Sequence, residues 1–295
     1  MLAFLPKPLI GILSFLLYLI NTLFWAVPIL LFALLKVPPI ARWQRWMTWV
    51  LDTCASAWIS VNNITTRVFT RIRWDVRGLE QLSVKDWYLV VANHQSWVDI
   101  LVLQNIFNRK IPFLKFFLKR ELIYVPVIGI CWWALDFPFM KRYSAAFLAK
   151  YPHLKGQDII TTRKACEKFR TKPVSIMNFL EGTRFVPEKH QQQQSPFQYL
   201  LKPKAGGIAF VLDAMGQHLH KLLDVTIYYP KKTPSFWDYI CGKVDDIKVR
   251  VRVLPIDQQW IGNYDDAQFR SRFQQTVNQL WLEKDQLLTQ LRHGD

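Results

Sequence analysis

An α/β domain carried on an N-terminal membrane anchor is the architecture this sequence predicts, and three observations predict it. Pro8 to Leu35 contains no charged residue, and Lys7 and Lys36 close its ends. Further along, short β-favouring runs alternate with stretches of helical periodicity. The roughly 235 residues that follow the apolar segment are enough for one sizeable core. Residues 1–60 are therefore assigned to a membrane anchor with an interfacial helix, and 61–295 to one cytosolic domain.

Composition bears on the partner. The chain has 38 Lys and Arg against 22 Asp and Glu, a formal charge of +16, 51% hydrophobic residues and 13 Trp. Cations attract acidic headgroups while aromatic rings settle at the membrane interface, so an anionic membrane suits this balance. Nucleic acid would also attract the charge, but the apolar N-terminus favours lipid, and nucleic acid is not expected. Cys54, Cys131, Cys166 and Cys241 are scattered and form neither a zinc pattern nor a disulfide framework. His218 and His220 have no third ligand close in sequence, so no metal site is expected.

As a helix, the 28 positions from Pro8 to Leu35 would extend about 42 Å against a hydrocarbon core of roughly 30 Å. One tilted or extended span fits, and so does a pair of half-length helices broken near Asn21-Thr22 or Pro28. The run is too long for a cleaved signal peptide and no small-x-small site follows it, which predicts a retained anchor. After Pro38-Pro39, the stretch Ala41 to Ile59 carries Arg42, Arg45, Trp43, Trp46, Trp49 and Trp58. That mixture suits a helix in the headgroup zone, or equally a helix packed on the domain. Positive charge after the anchor places the remainder in the cytoplasm.

Alternation from Arg67 to Val76, closed by Gly78, predicts a strand. Trp87 to Val91 predicts a second, buried strand that delivers Asn93-His94-Gln95-Ser96-Trp97-Val98-Asp99 at its end. On a regular helix five steps of about 100° would leave His94 and Asp99 roughly 140° apart, so the spacing asks for a turn. Such a turn folds the carboxylate against the imidazole, fixing its tautomer and leaving the other ring nitrogen free to take a proton from a hydroxyl. Asp99 also stands where a helix begins at Ile100, so capping is a second role compatible with the first.

Leu122 to Met140 is long enough for another span. Its Pro126, Gly129 and Asp136 favour a buried or interfacial segment instead. Asp158 to Arg170 has helical periodicity. Val174 to Phe179 predicts a strand running into Leu180-Glu181-Gly182-Thr183-Arg184. These residues bring a carboxylate, a permissive backbone and a phosphate-binding guanidinium to one strand end, or else form a salt-bridged turn. Pro187 to Gln198, with glutamine at 191–194, is expected to be a mobile loop. Lys204 precedes an apolar helix ending near Met215-Gly216, where an anion could be held. Leu222 to Tyr229 and Ile247 to Leu254 are two further strands, and Asp266 to Leu291 a C-terminal helix packed on one side of the sheet.

Four blocks occur together and in order: Asn93-His94-x4-Asp99, Lys119 ahead of Glu121-Leu122-x3-Pro126-x2-Gly129, Phe179 to Arg184, and Asp224-Val225-Thr226-Ile227. Over about residues 70–255 the chain resembles the PlsC-like glycerolipid acyltransferases, also called 1-acyl-glycerol-3-phosphate acyltransferases. Leu180 where Pro is usual, with the L-K-P-K-x-G and D-V-T-I sequences, is most similar to the lysocardiolipin-acyltransferase-like branch. The resemblance implies a mixed sheet flanked by helices and transfer of a fatty acyl group from acyl-CoA or acyl carrier protein to the sn-2 hydroxyl of lysophosphatidic acid. It implies His94 as general base and Asp99 as its orienting partner. Lys119, Glu181, Gly182, Thr183 and Arg184, with Lys204, would line the acceptor's phosphate site, joined by Lys141 and Arg142, which match their block only in part. Leu180 bears on acceptor preference rather than on reaction type. No metal or other cofactor is implied, and the expected location is the inner (cytoplasmic) membrane with the catalytic domain facing the cytoplasm. Lysocardiolipin or lysophosphatidylglycerol is the alternative acceptor. A membrane-tethered protein that binds RNA or an acidic protein is the alternative of another class.

Overall fold

The structure, a computed structural model, describes residues 2–140, 166, 169 and 172–294. Helix α1 (Lys7–Leu35) runs unbroken through Asn21-Thr22 and Pro28. A hairpin nevertheless forms, because α2 (Ala41–Phe69) turns back along α1. Polar side chains fix their register. Asn21 donates through Nδ2 to the Trp58 carbonyl and to Asn62 Oδ1, both at 2.9 Å. The Tyr18 and Thr66 hydroxyls are 2.8 Å apart, and Trp58 Nε1 donates to Thr22 Oγ1 at 3.1 Å. Asn21, a candidate break in the sequence, is thus a cross-link between two helices.

The strand expected from Arg67 begins only at β1 (Arg73–Arg77). Residues 67–69 stay helical because Thr65, Thr66 and Phe69 are buried on one face of α2, and the chain becomes extended at Thr70. Helix α2 also runs past residues 60 and 61 without interruption.

A six-stranded sheet has the order β1-β8-β7-β2-β6-β3, formed by β1, β2 (Tyr88–Ala92), β3 (Leu114–Phe116), β6 (Ser175–Phe179), β7 (Lys221–Tyr228) and β8 (Asp246–Pro255). Among the described residues only β7 and β8 pair antiparallel; the other neighbours in this sheet are parallel. A second, two-stranded parallel sheet joins β4 (Leu118–Lys119) to β5 (Phe139–Met140). The expected mixed sheet flanked by helices is therefore what forms. Strand periodicity divides the core in two. Val90 and Ala92 pack on α3 (Val98–Phe107) and on Leu51, Cys54 and Ala55 of α2. Leu89 and Val91 face the side of α6 (Gly206–Met215) and α8 (Ala267–His293), which carry Ile208, Leu212, Phe273, Val277 and Trp281. Each such buried side chain contributes about 1.5–3 kcal/mol. The short α7 (Phe236–Ile240) lies between β7 and β8, and α8 is capped by Asp266, whose carboxylate accepts from the Gln268 amide.

Leu122 to Met140 takes in the end of a 3₁₀ turn (Arg120–Tyr124) and the short α4 (Ile128–Ala134), neither long enough to span a bilayer. The buried or interfacial expectation agrees with this. Pro187–Gln198 differs from expectation, since α5 (Pro187–Gln193) opens it with Pro187 in its first turn and ends at left-handed Gln194. Gln is a good helix former that leaves no apolar period to read. Asp285 then accepts from the Gln198 and Tyr199 amides at 2.7 and 2.8 Å, which fixes the remainder. Of the helix expected over 158–170 only Cys166 and Phe169 are described, both buried.

Gly129 shows how tightly the 120–134 segment is folded, because a Cβ there would stand 2.2 Å from the Ile123 carbonyl oxygen. Gly129→Ala is expected to destabilise the protein by about 1–3 kcal/mol, as overpacking does. Thermal unfolding of the detergent-solubilised variant checks this; an unchanged midpoint would contradict the packing.

Candidate active site

Parallel pairing brings the motifs together. Ala92 of β2 pairs with Phe179 of β6 and with Val225 of β7, so the residues that follow emerge at one carboxyl end of the sheet. Asn93 extends this pairing with its side chain, donating from Nδ2 to the Ile227 carbonyl at 2.9 Å and accepting from the Ile227 amide at 2.8 Å.

The next residues make the expected turn. Asp99 is fully buried in the first turn of α3. Its Oδ2 accepts from the Gln95 and Ser96 amides at 2.6 and 2.8 Å and lies 2.9 Å from His94 Nδ1. Its Oδ1 accepts from the Tyr229 hydroxyl at 2.6 Å. One carboxylate thus stabilises the helix start and orients the imidazole. Burial, with the Asp99 charge beside it, holds the Tyr229 phenol well above its ordinary range, so it remains a donor. Contact with the carboxylate puts the imidazole proton on Nδ1 and the lone pair on Nε2, which has no hydrogen-bond partner among the described residues. The ring stacks on Phe179 at 3.9 Å between centroids. Phe116 and then Phe137 continue this row of rings, at 6.3 and 6.4 Å.

Glu181 points inward. It is fully buried, with Oε1 accepting from the His94 amide at 2.7 Å and Oε2 from the Leu201 amide at 2.9 Å. Its carboxyl therefore ties the His94 loop to the Leu201 loop. Burial pushes that carboxyl up to about 8, against the two amides, which favour its charged form. Gly182 adopts φ +67°, which only a residue without Cβ takes readily. A Cβ there would lie 3.4 Å from Lys204 Cδ, so the Lys204 side chain runs along this turn, and its amide donates to the Leu180 carbonyl at 2.8 Å. The Leu180 side chain is buried in the core on the α6 and α8 side.

Arg184 is exposed, with its guanidinium 5.0 Å from the centre of the Trp97 ring. Thr183 Oγ1 accepts from Lys189 Nζ at 2.6 Å. Lys119 is exposed on β4, which follows β3 at the same end of the sheet. Lys141 and Arg142 lie outside the described residues.

Several neighbours carried no sequence signal. Tyr229 is 130 residues from its partner Asp99. Trp97 lies inside the His-Asp motif, yet its stacking on Arg184 depends on the sheet pairing. Asp224 of the D-V-T-I block is structural, being buried between Lys284 Nζ at 2.5 Å and Arg252 Nη2 at 2.6 Å.

A family model described as Acyltransferase matches residues 73–229, and the chain belongs to that family. Among curated relatives, it is 26% identical over 214 residues to 1-acyl-sn-glycerol-3-phosphate acyltransferase gamma of Mus musculus, covering 69% of this chain and 53% of that protein. With 1-acyl-sn-glycerol-3-phosphate acyltransferase alpha of Bos taurus it shares 28% identity over 188 residues, 62% of this chain and 54% of the other. The chain thus spans about half the length of the curated relatives it matches. The crystal structure of the 1-acyl-sn-glycerophosphate (LPA) acyltransferase PlsC from Thermotoga maritima superposes with a TM-score of 0.56 over 96% of both chains at 16% identity, which shows a shared fold.

The raised Glu181 carboxyl predicts a pH dependence. The folded protein holds this proton up to about 8, whereas the ordinary value is 4.5. Its contribution to stability is therefore full below pH 4.5 and is lost as the pH rises through 8. Unfolding midpoints measured across that range should fall more steeply for the wild type than for Glu181→Gln. Parallel curves would refute the assignment.

Proposed function

We propose that this chain is a membrane-bound acyltransferase that moves a fatty acyl group from acyl-CoA or acyl carrier protein to the sn-2 hydroxyl of lysophosphatidic acid, giving phosphatidic acid. The observation that carries the reading is the His94–Asp99 pair, with Nδ1 held at 2.9 Å from the buried carboxylate and Nε2 unengaged among the described residues. Nε2 takes the hydroxyl proton while the alkoxide oxygen attacks the thioester carbonyl. The C–O bond forms, the C–S bond breaks, and the imidazolium returns its proton to the departing thiolate. Every bond and proton in this scheme is accounted for by two substrates and one imidazole, so it calls for no metal or redox cofactor.

Charge supports the acceptor assignment. Arg184, Lys204 and Lys119 are exposed cations at the end of the sheet that carries His94, suited to a phosphate monoester. Glu181 and Gly182 serve this site through backbone placement, and Thr183 through Lys189. The row from Phe179 through Phe116 to Phe137 offers apolar surface to an acyl chain. The names of the curated relatives favour lysophosphatidic acid over other lysophospholipids. Helix α1 is long and apolar enough to cross a membrane, and little of it is buried in the fold. In this reading residues 1–60 anchor the chain in the inner membrane and 61–295 work at its cytoplasmic face.

His94→Ala is expected to lower transfer by about 10²–10⁴-fold while membrane association persists. Arg184→Ala should raise KM most for acceptors bearing a terminal phosphate. The assay supplies membranes containing each form with labelled acyl-CoA or acyl carrier protein and a lysophospholipid panel, and reads products by mass spectrometry. Undiminished transfer by His94→Ala would refute the mechanism, and preference for lysocardiolipin or lysophosphatidylglycerol would reassign the acceptor.

A further inference from the structure

The segment between β4 and β5 is built more firmly than a connection requires. Val127 takes φ +63°, an uncommon conformation for a β-branched residue. Gly129, Cys131 and Ala134 of α4 are buried, and α4 lies against α1. Lys36, just after α1, pairs with Asp136, just after α4. Trp132 and Phe137 turn to the core, but four other apolar side chains point outward: Tyr124 is 79% exposed, Trp133 61% and Ile130 48%, with Val125 also exposed. Ile130 and Trp133, three residues apart, share one face of α4. Clustered exposed apolar residues on a rigid frame mark an interaction surface.

We propose that Tyr124, Val125, Ile130 and Trp133 form a second membrane-contacting surface, continuous with the outer face of α1 and seated at the interface of an anionic bilayer. Three observations favour lipid as the occupant. Packing of α4 on α1 joins the patch to a helix whose Val27, Leu31 and Leu34 are themselves exposed. Tyr and Trp at the tips suit the headgroup boundary. Exposed Lys119 and Arg120 directly precede the patch, where acidic headgroups would meet them. The patch then sets Lys119 at headgroup height, at the end of the sheet where His94 stands, so a lipid acceptor is met without leaving the bilayer. This inference rests on the reading of α1 as membrane-embedded.

All four native cysteines are buried, so an environment-sensitive thiol probe can be directed to new surface cysteines. Full-length Tyr124→Cys and Trp133→Cys proteins are labelled and reconstituted into phosphatidylethanolamine–phosphatidylglycerol vesicles containing shallow nitroxide lipids. Phe24→Cys on the exposed face of α1 and Gln275→Cys on the exposed face of α8 serve as references. The expected result is quenching at 124 and 133 at least half that at 24, with position 275 remaining aqueous. Quenching at 24 with 124 and 133 aqueous, or shielded from water and lipid alike as by a second protein, overturns the inference alone. An aqueous position 24 overturns the anchoring reading and this inference with it.

Discussion

The Asp99 carboxylate is a buried charge whose burial alone would be strongly unfavourable, and much of the site exists to compensate it. Removing such an ion from water costs several kcal/mol. Two backbone amides, an imidazole and a phenol return hydrogen bonds, each worth about 1.5–3 kcal/mol when the acceptor is charged. Each donor comes from a place the fold must hold: the turn after β2, the ring of His94, and the residue after β7. Orientation of the imidazole follows from satisfying this acceptor.

A second carboxyl extends the constraint. Glu181 receives amides from the His94 and Leu201 loops. Deeper in, Lys284 of α8 reaches Asp224 and also donates to the Val225 carbonyl at 2.6 Å, while Arg252 bridges Asp224 to Glu283. Loss of one partner from such a buried pair costs about 3–5 kcal/mol, because the remaining charge has no water to turn to. The ionisable side chains at the motif positions therefore divide by direction. Asp99, Glu181 and Asp224 face inward and hold loops or helices, whereas Arg184, Lys204 and Lys119 face outward.

Much of this is legible in the amino-acid sequence. The runs over 87–91, 174–179, 222–229 and 247–254 became β2, β6, β7 and β8 because their β-favouring composition coincides with burial, on both faces for β2 and β7 and on the face of Ile247, Val249 and Val251 for β8. The His94–Asp99 turn was legible because a five-residue separation cannot be closed on a helix. The inward aim of Glu181 was not, since residue type says nothing about which way a strand-end carboxylate turns. Tyr229 was hidden for another reason: its contact exists only once β7 lies beside β2. The extension of α2 to Phe69 was obscured because alternation from Arg67 mimics a strand until α1 supplies a buried partner for Thr66. Glutamine concealed α5 by leaving no apolar stripe.

Helix α2 has a consequence for dissection of the protein. Leu51, Cys54 and Ala55 of α2, with Ala26 and Ile29 of α1, belong to the same core as the central strand, and Asp52 pairs with buried Lys115 of β3 at 3.0 Å. The hairpin is a wall of the domain as much as its attachment. Truncation to a water-soluble fragment would strip that wall, leave Lys115 without its counter-ion and expose the sheet face beneath α2. Cutting away the hairpin is therefore a way to unfold the domain, and the protein has to be purified with α1 and α2 intact.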